Sequence, residues 1–275
     1  MEYDFSKYKG LDVEINADGV GVICIDHPPR NILTLGMMKG MMELLQLFEQ
    51  DPAVRCVLLI NKGDIFSGNA GDAYRELQEE SGLSFGELNE AFSKLGGGLV
   101  EYIDFYPKPT LVAGKGYCSG GAAAIYEAFD VRLAGETFNL YDYDVYAGSA
   151  ANWGMQTLRL PIWLGRNKLM DFVFMNEEFN ARQLYELGIV SRVVPDDYLE
   201  QTALTLAGKM AKSVPVIVKE FKQCVHKVLY NDNYQAWRAF EIEQAKIANA
   251  TEESRQATLK AAEMDAGGTK KAKFG

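Results

Sequence analysis

The run Gly116-Tyr117-Cys118-Ser119-Gly120-Gly121-Ala122-Ala123-Ala124 carries the strongest chemical signal in this 275-residue chain. It follows the apolar Pro109-Thr110-Leu111-Val112-Ala113 and precedes Ile125-Tyr126-Glu127-Ala128-Phe129, which reads as helix. A strand that ends in glycines and opens a helix leaves several backbone N–H groups unpaired at one point. The helix dipole adds partial positive charge there. Such a corner holds an anion, or an oxygen that becomes one during a reaction. It serves equally as a tight turn that needs glycine only for close packing. A second corner of the same kind lies upstream. Val57-Leu58-Leu59-Ile60 reads as a buried strand. It runs through Asn61-Lys62-Gly63-Asp64 into Phe66-Ser67-Gly68-Asn69-Ala70-Gly71-Asp72, and then into helical Ala73-Tyr74-Arg75-Glu76-Leu77. Two such corners, from two crossover units of one parallel sheet, can aim two N–H groups at a single oxygen.

The elements that must position these corners are legible as an α/β pattern followed by helices. Leu11–Ile15 alternates as a strand, Asn16-Ala17-Asp18-Gly19 is a turn, and Val20–Ile25 is the return strand. Met37 to Gln50 is an amphipathic helix that ends near Asp51-Pro52. Strands and helices alternate to about residue 135, which predicts crossover units and a parallel sheet. From Pro195 onward the pattern is mostly helical, with Val214 to Leu229 and Glu241 to Glu263 as further helices. We therefore expect two regions, a core over 1–195 and a helical region over 196–275.

Bulk properties narrow the function. With 48% hydrophobic and 24% charged residues, the chain has the composition of a soluble globular protein. A net charge of −10 argues against a general nucleic-acid binder. Cys24, Cys56, Cys118 and Cys224 are scattered without metal-ligand spacing, so no metal is expected. Three of them lie in apolar contexts and read as packing residues of a reducing compartment. No apolar run reaches membrane-span length, and Met1-Glu2-Tyr3-Asp4 does not begin a signal peptide. A cytoplasmic protein is the expectation.

Taken in order, the motifs resemble the crotonase (enoyl-CoA hydratase/isomerase) superfamily. Pro28-Pro29-Arg30-Asn31-Ile32-Leu33 resembles its Pro-x-x-Asn-x-Leu segment, and Phe66-Ser67-Gly68-Asn69-Ala70 its Phe-Ser-Ala-Gly-Ala loop. Lys108-Pro109 with Gly116 through Gly121 is similar to the family's central glycine block. Asp130 to Gly135, Arg159-Leu160-Pro161 with Leu164-Gly165-Arg166, and Ala181 through Pro195 continue the match. The resemblance covers roughly residues 10 to 225. It implies a crotonase-like ββα spiral with a C-terminal helical trimerisation region, assembled as a homotrimer or a dimer of trimers.

The resemblance also implies acyl-CoA chemistry with no separate cofactor, coenzyme A being part of the substrate. The amides of Ala70 and Gly121 would hold a thioester carbonyl and stabilise its enolate. Of the family's usual acidic positions, one falls on Ala124, one on Asp144 and a third on Asn152. A single carboxylate, Asp144, thus remains. Water addition by paired carboxylates loses its simplest basis, whereas moving a proton between carbons needs one base. Gly68 matches a position near the adenine, and Arg30 and Lys271 are further candidates for CoA contact. A lysine common after the first oxyanion residue is Ala73 here, with Arg75 as a stand-in.

Other residues compete for roles. Asp142, Tyr143, Asp144 and Tyr146 form a polar-aromatic cluster, and as a strand it would put Asp142, Asp144 and Tyr146 on one face. Two nearby carboxylates would split their pKa values into an acid and a base. Glu127, one helical turn beyond Ala124, either projects toward the same side or is surface or ion-paired. Cys118 has neither His27 nor His226 near it in sequence, so a Cys–His pair is disfavoured. Trp153 and Trp163 read as wall or core residues. The expected activity is isomerisation or hydration of an enoyl-CoA, cyclic or dienoyl substrates included. The alternatives are C–C cleavage or decarboxylation of a β-carbonyl thioester, and a non-catalytic acyl-CoA-binding or partner-binding subunit.

Overall fold

In the computed structural model the described residues are 4–67, 78, 81–141, 144–148, 153–175, 178–231 and 233–266. Strands β1 (Leu11–Ile15) and β2 (Val20–Ile25) form an antiparallel hairpin. The Asn16 side chain builds its turn, accepting from the amides of Asp18 and Val20. Helix α1 (Leu35–Gln50) starts at Thr34, whose hydroxyl accepts from the Met37 amide. Strands β3 (Cys56–Asn61) and β4 (Ile65–Ser67) follow, and then α2 (Phe85–Asp104), which opens with a reciprocal Ser84–Glu87 capping box.

The centre of the chain supplies β5 (Thr110–Gly114), β6 (Tyr117–Ser119), α3 (Gly121–Glu127), β7 (Val131–Gly135) and β8 (Asn139–Tyr141). A short helical turn, α4 (Asp144–Ala147), precedes a π-helical segment, Met155–Arg159, that runs directly into α5 (Leu160–Phe174). Strand β9 (Phe179–Asn180), α6 (Ala181–Glu186) and β10 (Arg192–Val194) complete this part. The remaining helices are α7 (Asp196–Ala211), α8 (Pro215–Tyr230), α9 (Tyr234–Asn249) and α10 (Glu252–Ala266). The single helix expected over Glu241 to Glu263 is two: α9 stops at Ala250, and Thr251 caps α10 by accepting from the Ser254 amide. Among the described residues, no helix is long and apolar enough to cross a membrane.

These strands make two sheets. The larger has the order β1-β2-β3-β5-β7-β10, parallel from β2 onward. The smaller has the order β4-β6-β8-β9, with its first three strands parallel. Alternation along the larger sheet divides its side chains. Val22, Cys24, Leu58, Ile60 and Leu111 pack beneath α7, where Ala203, Ala207 and Ala211 repeat every turn and let the helix sit close. Ile23, Ile25, Val57, Leu59 and Val112 face the main core with α1 and α2.

Two asparagines fix the smaller sheet to the larger. Asn31 adopts the left-handed region at φ 53° and donates to the carbonyls of Lys62 and Ile65, while its oxygen accepts from the His27 amide. Asn61, at the end of β3, donates to the Ile65 carbonyl and accepts from the Lys115 amide. Between β5 and β6, Gly116 lies at φ 72°, and a Cβ there would stand 1.8 Å from the Asp64 carbonyl oxygen, so no other residue fits.

A buried network holds the last helices to the core. Arg159 is fully buried and donates to Asp104 at 2.7 Å, to the Gly154 carbonyl and to the Tyr234 hydroxyl. Tyr230 also donates to Asp104, while Glu241 accepts from both Thr157 and Arg238. Lys222 of α8 pairs with Asp130, whose carboxylate also accepts from the amide and hydroxyl of Thr110.

Candidate active site

In the smaller sheet β4, β6 and β8 are parallel neighbours, so their C-terminal ends lie along one edge. Each end feeds one of the segments singled out from sequence. After β4 comes the stretch with Gly68 and Ala70, after β6 comes Gly121, and after β8 comes Asp144. Loops at the carboxyl ends of parallel strands are the usual place for a ligand. Ring packing sets the three ends relative to each other. Phe66 on β4 meets Tyr126 on α3 at 5.5 Å and Phe138 before β8 at 6.2 Å, while Tyr126 stacks on Phe138 at 4.6 Å. The Tyr126 hydroxyl is satisfied by the Leu133 carbonyl.

Gly121 opens α3. Its predecessor Gly120 has φ 56° and ψ −131°, and no side chain caps the helix. The first amides of α3 are therefore presented without an intrahelical partner. The indole of Trp153 lies against both Gly121 and Gly96 of α2. Ala124 is buried one turn further on.

Asp144 begins α4 and receives a 3.5 Å hydrogen bond from the Gln156 amide, a residue of the π-helix. The side chain keeps partial exposure, yet the packed atoms around it desolvate the carboxyl and push its pKa up to about 6, against the opposing pull of Gln156. That places its titration close to neutrality, where a group able to transfer protons works best. A π-helical turn recurs at functional sites because its extra residue re-aims side chains. Here it directs Gln156 to Asp144, and Thr157 and Arg159 into the buried network.

Several expectations need correction. The segment around Asp144 is not a strand: β8 ends at Tyr141, and Asp144 and Tyr146 sit on a helical turn, where residues two apart diverge. Tyr146 donates instead to the Phe174 carbonyl of α5 at 2.6 Å. Glu127 is not a surface residue. It is 2% exposed, and burial raises its pKa to about 8 despite the opposing charge of Arg132. It is felt by Cys118, on the core side of β6. The Arg132 guanidinium is committed to the carbonyls of Glu127, Phe129 and Ile189 and lies over the Trp163 ring. Ala70, Gly68, Asp142, Tyr143, Asn152 and Lys271 lie outside the described residues. Arg30 is half-buried in the turn that contains Asn31.

Cys24, Cys56 and Cys118 are buried and Cys224 is exposed. Burial pushes the Cys118 thiol well up, which keeps it protonated and unsuited to attack. His226 stacks on Tyr230 and meets the tilted ring of Phe105, and burial lowers its pKa. Gln156 and the Trp153 contact were missed from sequence. The only signal for either was position, since both precede the Arg159-Leu160-Pro161 motif.

A family model described as Enoyl-CoA hydratase/isomerase matches residues 15–266. A probable enoyl-CoA hydratase of Bacillus subtilis (strain 168) is 25% identical over 234 residues, covering 85% of this chain and 87% of the relative. A hydroxycinnamoyl-CoA hydratase-lyase of Pseudomonas fluorescens is 23% identical over 232 residues, covering 79% and 80%. In fold, the chain is similar to the crystal structure of an enoyl-CoA hydratase/isomerase from Xanthobacter autotrophicus Py2. That likeness has a TM-score of 0.79 at 24% identity and covers 93% of this chain and 96% of the other.

Proposed function

Because this chain belongs to the enoyl-CoA hydratase/isomerase family, whose model spans most of its length, we propose that it converts an enoyl-CoA thioester, with Asp144 as the proton-transfer group. The thioester carbonyl sits between the amides of Ala70 and Gly121, the first assigned by motif alone. Charge that builds on this oxygen when the α-carbon gains or loses a proton is what such amide donors stabilise. Asp144 moves the proton, and Gln156 orients its carboxylate.

One observation carries this reading. An uncapped amide at Gly121 and a desolvated carboxyl at Asp144 hang from the ends of adjoining strands β6 and β8. The alanine at 124, where the family motif would place a glutamate, favours isomerisation over hydration, because moving a double bond needs one base and adding water is eased by two. Incubating the protein with a panel of enoyl and dienoyl thioesters, with products read by mass spectrometry, tests it. A panel left unchanged by the parent sinks the reading. Turnover that survives Asp144→Asn removes Asp144 from its role.

The same missing carboxylate favours a second reading, C–C cleavage of a β-carbonyl thioester, which leans on the oxyanion donors more than on an acid–base pair. Release of carbon dioxide or of a shortened acid selects this reading. Tight binding of the thioesters without turnover selects a non-catalytic subunit.

We also propose a trimer or a dimer of trimers. Helix α8 exposes Val216, Ile217, Phe221 and Val228, at 58% to 81%, a run of apolar surface that a partner copy would cover. Light scattering that finds only monomer at micromolar concentration rules this out.

A further inference from the structure

Ser119 ends β6, just before the turn that presents Gly121. Its side chain is 4% exposed, and its hydroxyl oxygen is buried with no hydrogen-bond partner among the described residues. A buried hydroxyl left unpaired costs stability, and folded proteins keep few of them. The direction of this one follows from strand alternation. Cys118 and Leu140 point into the main core. Ser119 and its register partner Tyr141 therefore occupy the opposite face of the smaller sheet, together with Tyr117. The rings of Tyr117 and Tyr141 lie 6.2 Å apart on that face.

The hydroxyl thus shares a face of the sheet with two phenol rings, at the strand ends that precede Gly121 and Asp144. A purely hydrocarbon ligand would gain contact with the rings but leave the serine unpaired. A ligand with an oxygen at this depth gains the contact and satisfies the serine as well. We propose that Ser119 hydrogen-bonds an oxygen substituent of the bound acyl group, so that the preferred substrate is a thioester with a keto or hydroxyl oxygen close to the reacting carbons. This specificity rests on the acyl-CoA reading above and narrows it.

Ser119→Ala tests the inference through two readouts that need no turnover. The first is the melting temperature of the unliganded protein. With no internal bond to lose, the variant should match or exceed the parent, by up to about 2 °C. A fall of similar size would show that the serine is bonded within the fold and would overturn the proposal. The second is calorimetric affinity for a β-keto acyl-CoA and for the saturated acyl-CoA of equal chain length. The parent should prefer the keto compound by roughly tenfold, and the variant should lose that preference while holding the saturated compound as before. Equal parent affinity for the two overturns the inference but leaves the acyl-CoA reading standing. Equal weakening of both in the variant moves the bond to the pantetheine arm and overturns acyl selectivity. If neither thioester binds the parent, the acyl-CoA reading itself fails.

Discussion

The Trp153 indole lies so close over Gly121 that a Cβ on the glycine would stand 2.4 Å from the ring. Gly96 meets the same ring, where a Cβ would stand 2.2 Å away. Position 121 is thus held to glycine by a wall residue, independently of its own backbone angles. Gly121→Ala should displace the indole or the amide and lower kcat/KM by ~100-fold or more, the scale of losing an oxyanion donor. In a Trp153→Ala background the same change should cost far less. A double-mutant cycle on kcat/KM measures that coupling, and additive losses would refute the contact.

Asp144 as a base must be ionised to act. Its pKa of about 6 predicts activity that falls as pH drops below that value. Removing the Gln156 hydrogen bond removes a pull that lowers this pKa, so Gln156→Leu should shift the acid limb of the pH–rate profile upward. Asp144→Asn should cut kcat by ~100-fold to 10,000-fold. A Gln156→Leu profile superimposable on that of the parent would show that Gln156 does not tune Asp144.

Glu127 ties stability to pH. Its folded pKa, about 8, lies above its ordinary value of 4.5, so the folded state holds the proton more tightly than the unfolded chain. The associated stability is fully present below the ordinary value and is lost progressively as pH rises to about 8. Glu127→Gln keeps the neutral shape and should flatten this slope, leaving the variant more stable than the parent by ~2 kcal/mol near pH 9. Urea unfolding across the window checks it, and equal slopes in parent and variant would count against the buried carboxyl.

Arg159 is a buried cation whose charge is met by Asp104. Asp104→Ala leaves that guanidinium without its carboxylate and should destabilise the fold by ~3–5 kcal/mol. A shift in the urea midpoint at unchanged slope reads this directly.

Much of this architecture is visible in sequence because its signals are local. Asn16-Ala17-Asp18-Gly19 marks the first hairpin, and Asp51-Pro52 marks the end of α1. The division into two sheets is not visible. Strands β4, β6 and β8 have three residues each, too few to show alternation, and register across the sheet decides their partners. The Tyr-Asp-Tyr-Asp run imitates a strand's period of two, yet its last aspartate starts a helical turn. Glu127 reads as solvated because charged residues usually are, and its burial depends on packing by distant residues. The Trp153 contact with Gly96 and Gly121 joins three segments far apart in the chain, and no short-range pattern reports such a meeting.

The short parallel strands also bear on how this chain could diversify. Each of β4, β6 and β8 keeps its neighbours through main-chain bonds, and each leads into a different segment of the chain. The segment after β8 can therefore be rewritten without disturbing the pairing that sets the turn at Gly121. Ala124 on α3 and Asp144 on α4 stand on separate segments, so either position can change without the other.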